Sequence, residues 1–137
     1  MQSRVVARAI DGTLTKGTCL AVDPGQPNCQ VRTATESVDI PLASLKALFF
    51  VRDLVGTARR QETQLIAPTD QRLEGKTLIE ILFRDGERLL GLTETFPPEG
   101  QFYYVTPLDT GSNNLKMLVN RAAAVDVTVH DLHEAAA

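Results

Sequence analysis

The chain has 137 residues, 43% of them hydrophobic and 23% charged, which is the balance of a folded globular protein and far from that of a disordered one. A formal charge of -3 gives no overall electrostatic reason to hold a polyanion. The charge is uneven, however: residues 1–51 carry five Lys and Arg against four Asp and Glu, whereas residues 76–137 carry five against nine, so only the first half suits an anionic partner. No apolar run approaches the ~18 residues that cross a bilayer, and the longest, Leu45 to Val51, is broken by Lys46. Arg4 and Arg8 fall where a signal peptide needs an apolar stretch. The expectation is a cytoplasmic protein with no membrane segment.

In chain order, a strand-like run over Val5 to Ile10 ends at Asp11-Gly12, a pair that accepts the positive φ angles of a tight hairpin. A second strand follows, interrupted by Gly17, where a small barrel must bend. A loop over Asp23 to Pro27 leads to a third strand, Asn28 to Thr33, and two more follow at Ser37 to Ile40 and Leu45 to Val51. Cys19 and Cys29 lack the paired spacing of a zinc site and read as small buried hydrophobes, able to lie near one another across a hairpin at Asp23-Pro24-Gly25.

The same grammar returns 74 residues later. Asp85-Gly86, Gly91, Pro98 and Val105 repeat Asp11-Gly12, Gly17, Pro24 and Val31 without a gap. Strands are predicted at Leu78 to Arg84, after the second turn, at Phe102 to Thr106, Lys116 to Val119 and Ala123 to Val129. Ile40 would align with Leu118, placing a four-residue insertion around Asp109 to Asn114. The expected fold is therefore all-β: two tandem related five-stranded barrels, 1–51 and 76–129, packed on each other. Residues 52–75 read as a linker with at most one helical turn, and 130–137 as a fraying tail.

The strand order and turn chemistry resemble the Sm-like and SH3-like barrels. Gly17, Leu20-Ala21-Val22-Asp23 and Asn28 resemble the first Sm signature, with two extra residues before Asn28. Neither half carries the Arg-Gly pair of the second signature, which weakens a uridine-binding reading. A closer resemblance runs through Leu45 to Asp53, Phe83 to Gly91, and Phe102 to Asp109 with Ser112-Asn113-Asn114. These segments resemble an uncharacterised bacterial domain family sometimes found appended to PilZ and other signalling modules, a resemblance that implies no activity.

Enzyme chemistry is not expected. His130 and His133 both lie in the last eight residues, and no motif supplies a nucleophile with a base, a phosphate loop, a metal cluster or a cofactor site. The candidate contacts are for binding. In Phe102-Tyr103-Tyr104, alternation sends Tyr103 to the face opposite its neighbours, either as a stacking platform or as packing against the other half. Asp109, Ser112, Asn113 and Asn114 form a loop that could meet a ligand or satisfy its own backbone through Asx turns. Arg52, Arg59 and Arg60 offer guanidinium forks to an anion or sit in a solvated linker. The function expected is a non-enzymatic adaptor for a protein or peptide partner, with nucleotide or RNA binding as the alternative and a homo-oligomer left open.

Overall fold

The computed structural model describes residues 2–54, 66–109 and 111–130. These form ten antiparallel β-strands: β1 (Ser3–Ala9), β2 (Leu14–Cys19), β3 (Asn28–Arg32), β4 (Ser37–Pro41), β5 (Leu45–Val51), β6 (Thr77–Phe83), β7 (Arg88–Thr93), β8 (Phe102–Pro107), β9 (Asn114–Asn120) and β10 (Ala124–His130). Among the described residues, helical structure is limited to single 3₁₀ turns, at Leu42–Ser44, Gln71–Leu73 and Arg121–Ala123. No helix there is long and apolar enough to cross a membrane.

The strands lie in one sheet of order β10-β6-β7-β8-β9-β5-β1-β2-β3-β4. This corrects the expectation of two barrels packed on each other. The halves meet edge to edge through β5 and β9, and the sheet is open, because its terminal strands β10 and β4 do not pair.

Within each half the pairing is the same. Val5 faces Gly17 as Ile79 faces Gly91, and Thr18 faces Arg32 as Leu92 faces Thr106, each at an offset of 74. Cys29 faces Ile40 as Tyr103 faces Val119, so beyond the β8–β9 loop the offset is 79, a five-residue insertion in place of the expected four.

The turns correspond atom for atom. Asp11 Oδ1 accepts from Thr13 N at 2.9 Å and Asp85 Oδ1 from Glu87 N at 2.9 Å, while Gly12 and Gly86 sit at φ +94° and +89°. These hydrogen bonds hold the Asp11 carboxyl below its ordinary range through the Thr13 backbone N–H. The Lys46 ammonium does the same for Asp85, ahead of the Glu87 N–H.

Two hydrophobic clusters flank the junction. One gathers Val5, Ala7, Val31, Leu45, Leu48 and Phe50 with Leu118; the other gathers Ile79, Ile81, Phe83, Val105 and Met117 with Ala47, Phe49 and Val51. β5 therefore feeds both clusters from its two faces, and all seven of its residues are buried. That accounts for a strand apolar on both sides in sequence, which an edge strand or a half-exposed one would not tolerate. Cys19 and Cys29 are free thiols buried in the first cluster, where burial pushes both pKa values up.

Candidate binding cleft

Strand alternation and the observed registers explain how a surface forms at the junction. A row of side chains runs across five strands on one face, from Lys16 (β2) through Val6, Phe49 and Met117 to Val105 (β8). It starts exposed at Lys16 and ends 1% exposed at Val105. A parallel row runs Leu14, Arg8, Ala47, Val119, Tyr103, from 48% exposed to 8%. One face of the sheet is thus outer surface in the first half and core in the second. On the reverse face, Ala7, Leu48, Leu118 and Tyr104 run from core to surface.

Where the first two rows pass under β7, they leave a cleft of about 400 Å³. Its floor includes Val6, Phe49, Val51 and Met117, and Leu14, Leu54, Leu89 and Leu90 contribute to its walls. Among the described residues, Arg8, Lys16 and Arg88 line it against the one carboxylate of Glu87, so in a chain of net negative charge that lining carries more positive than negative side chains.

The charged groups join the halves. Arg8 Nη1 lies 3.3 Å from Glu87 Oε2, with its guanidinium 5.5 Å from the centroid of Phe49. Lys46 Nζ, on a side chain only 4% exposed, donates to Asp85 Oδ2 at 2.7 Å and to Glu87 Oε1 at 2.9 Å, and stands 4.7 Å from the Phe83 ring centroid. Arg88 turns to Glu80 at 2.8 Å, and Lys16 has no ion pair among the described residues.

Lys46 makes the first stability prediction. Its ammonium is buried while Asp85 and Glu87 are 53% and 42% exposed, so neutralising both as Asp85→Asn/Glu87→Gln strands the cation but leaves its partners' site wet. The loss should be about 2 kcal/mol, below the ~3–5 of a fully buried pair. Denaturant unfolding of the full chain at neutral pH measures it. The Asp85 share has a definite pH sign: its folded pKa is depressed, so the stabilisation is complete above its ordinary 3.8 and is lost as pH falls towards the lowered folded value. A double variant as stable as wild type would mean that Lys46 is satisfied otherwise.

The sequence-derived candidates fall in three places. Arg52, Asp109, Ser112, Asn113 and Asn114 come together and hydrogen-bond to one another and to their neighbours. Arg52 N and Nε donate to the carbonyls of Asn113 (2.8 Å) and Ser112 (3.1 Å), and Asn113 exchanges two hydrogen bonds with the Asp53 backbone at 3.0 and 2.9 Å. Asp109 Oδ1 accepts from Gly111 N and Ser112 Oγ from Asn114 N. These last two close Asx-type turns within the loop, while the bonds of Arg52 and Asp53 clamp the end of β5 to the β8–β9 loop. Only Asn113 and Asn114 of this group also line the cleft.

Tyr103 is not a surface platform. Alternation separates it from its neighbours as expected, but its face is the core of the second half, where burial raises its phenol pKa to about 12. The exposed ring is Tyr104, with Lys116 Nζ 4.8 Å from its centroid and from that of Phe50. Arg59, Arg60 and His133 lie outside the described residues. His130 is the last residue of β10, not part of a fraying tail, and its Nε2 lies 3.1 Å from Glu80 Oε2. Sequence reasoning missed Arg8, Lys16, Glu87 and Arg88, which are far apart in the chain and ordinary in type. Lys46 was the legible signal: a cation inside an apolar strand implies a carboxylate partner. Among the described residues no cluster of three or more His, Cys, Asp or Glu gathers.

No curated protein and no solved structure gives a significant match. One family model does match, over residues 1–130, nearly the whole chain. With its open all-β sheet and its cleft at the junction of two like-paired halves, the chain belongs to a family of unknown function (DUF6982).

Proposed function

We propose that this protein is a non-enzymatic binding module whose cleft takes an acidic, partly apolar peptide segment of a protein partner. The observation that carries this reading is the emergence of the Lys16-Val6-Phe49-Met117 row from the second core. It brings half-buried Val6 and exposed Leu14 over the buried Phe49 and Met117, beside a cation without an ion pair among the described residues. Apolar contact supplies affinity there, and the net positive lining selects the sign of the partner. The matching registers support reading the halves as two copies of one five-stranded unit of Sm-like or SH3-like order. A place beside signalling domains such as PilZ fits an adaptor of this kind.

The nucleotide or RNA reading has less behind it. Of its three arginines only Arg52 is described, and its Nε is spent on the Ser112 carbonyl. An amide-resolved NMR titration of the full chain separates the two, with a Leu-Glu-rich peptide, its Leu-Lys counterpart and oligouridylate as probes. The acidic peptide should shift the amides around Leu14, Lys16 and Phe49, and Lys16→Glu should weaken it about tenfold, which is ~1.4 kcal/mol. Oligouridylate binding with a steep salt dependence would favour the alternative. No shift at the cleft with the acidic peptide would remove the proposal.

A further inference from the structure

The junction between the halves uses the fifth strand of the first, β5, and the fourth strand of the second, β9. The fourth strand of the first half, β4, and the fifth of the second, β10, are the corresponding strands, and among the described residues each pairs on one side only. The correspondence is residue by residue. Ile40 and Val119 both face the third strand of their own half at equivalent positions, and Phe50 and Val129 face the first strand opposite Val5 and Ile79. Each molecule therefore carries, unused, both partners of a contact it already makes internally.

We propose that the protein assembles head to tail, the β10 edge of one copy pairing antiparallel with the β4 edge of the next in the register of the β5–β9 junction.

The register follows from the internal one. Leu48–Leu118, Phe49–Met117 and Phe50–Lys116 become Val127–Asp39, Thr128–Val38 and Val129–Ser37 between copies. β10 suits the role: it is seven residues long, Ala-Val-Asp-Val-Thr-Val-His, with no Pro or Lys to blunt its edge and with Val125 and Val129 60% and 48% exposed. β4 explains why the contact is weaker than the internal one. It presents Asp39, hydrogen-bonded to Asn28 Nδ2 at 2.9 Å, where the junction has Leu118. Because the two surfaces differ, the contact is heterologous and does not stop at a dimer; it closes into a ring or continues as a filament.

Sedimentation of the full chain over a concentration series tests the assembly, and disulfide trapping tests its register. Wild type should show species beyond the dimer that grow with concentration, and Asp39→Leu should lower the dissociation constant by about tenfold or more. Ser37→Cys/Val129→Cys, both at exposed positions, should give a ladder of oxidised oligomers, whereas Ser37→Cys/Val125→Cys, four residues out of register, should not. The native thiols stay out of the reaction at 4% and 5% exposure. A monomer at every concentration up to a millimolar would overturn the proposal. So would a dimer trapped by Val129→Cys alone, which would mean that β10 pairs with β10.

Discussion

Expressed alone, a fragment of residues 1–56 or of 74–137 is expected to be unfolded, aggregated or self-associated, while the full chain melts in one cooperative transition. In the first fragment β5 becomes an edge strand, and Ala47, Phe49 and Val51, now 0%, 8% and 5% exposed, lose the second core that covers them. Their burial contributes roughly 5 kcal/mol at ~25 cal/mol per Å², a large part of the ~5–15 kcal/mol by which a domain is stable. The second fragment loses those same residues from its core, Lys46 from its carboxylates, and β5 from the free side of β9. Circular dichroism and heteronuclear NMR on each fragment, with thermal melts of the full chain followed by two probes, measure the effect. A well-dispersed monomer spectrum from either fragment would show that the junction is a contact between independent domains.

The second large effect is expected at Gly17 and Gly91. A Cβ at Gly17 would fall on the Arg32 carbonyl oxygen, and one at Gly91 would come within 2.6 Å of the Thr106 carbonyl oxygen and 2.5 Å of Val105 Cγ1. Arg32 and Thr106 are equivalent positions on β3 and β8, so each half brings its third strand against its second at the same glycine. Backbone cannot step aside as a side chain can, and Gly17→Val or Gly91→Val should each cost about 3 kcal/mol or more. Gly12→Val and Gly86→Val supply the contrast. No atom lies within 4 Å of a Cβ there, so only the left-handed φ is strained, at about 1 kcal/mol. Urea unfolding of the four variants should rank them in two pairs. Equal costs at all four sites would mean that the close approach of β3 and β8 relaxes without penalty.

Much of the local structure was legible in the sequence, because the interactions that set it are local. Asp-Gly turns, period-two alternation and bend glycines placed the strands to within a few residues, and the fifth strand, Leu45–Val51, matched its predicted bounds. The 74-residue offset anticipated the shared registers of the first three strands in each half. The insertion length was not legible, because a polar loop such as Asp109 to Asn114 carries no periodicity by which to align it. The Asx potential of that loop was readable, but whether its hydrogen bonds closed on the loop or opened to a ligand depended on β5 arriving beside it.

What the sequence by itself determined was an all-β chain with apolar side chains on both faces of its Leu45–Val51 strand, a surplus that one face of a sheet does not cover. Only the tertiary structure decided how that surplus was buried. β5 and β9, some 65 residues apart in the chain, pair edge to edge, so the inner face of one half becomes the outer face of the other. That exchange sends Tyr103 inward and Tyr104 outward, carries Lys46 to the turn of the opposite half, and opens the cleft beside Phe49. The choice between pairing edges and stacking faces is long-range. It turns on the free energy of covering both sides of one strand at once, a quantity that no window of neighbouring residues contains.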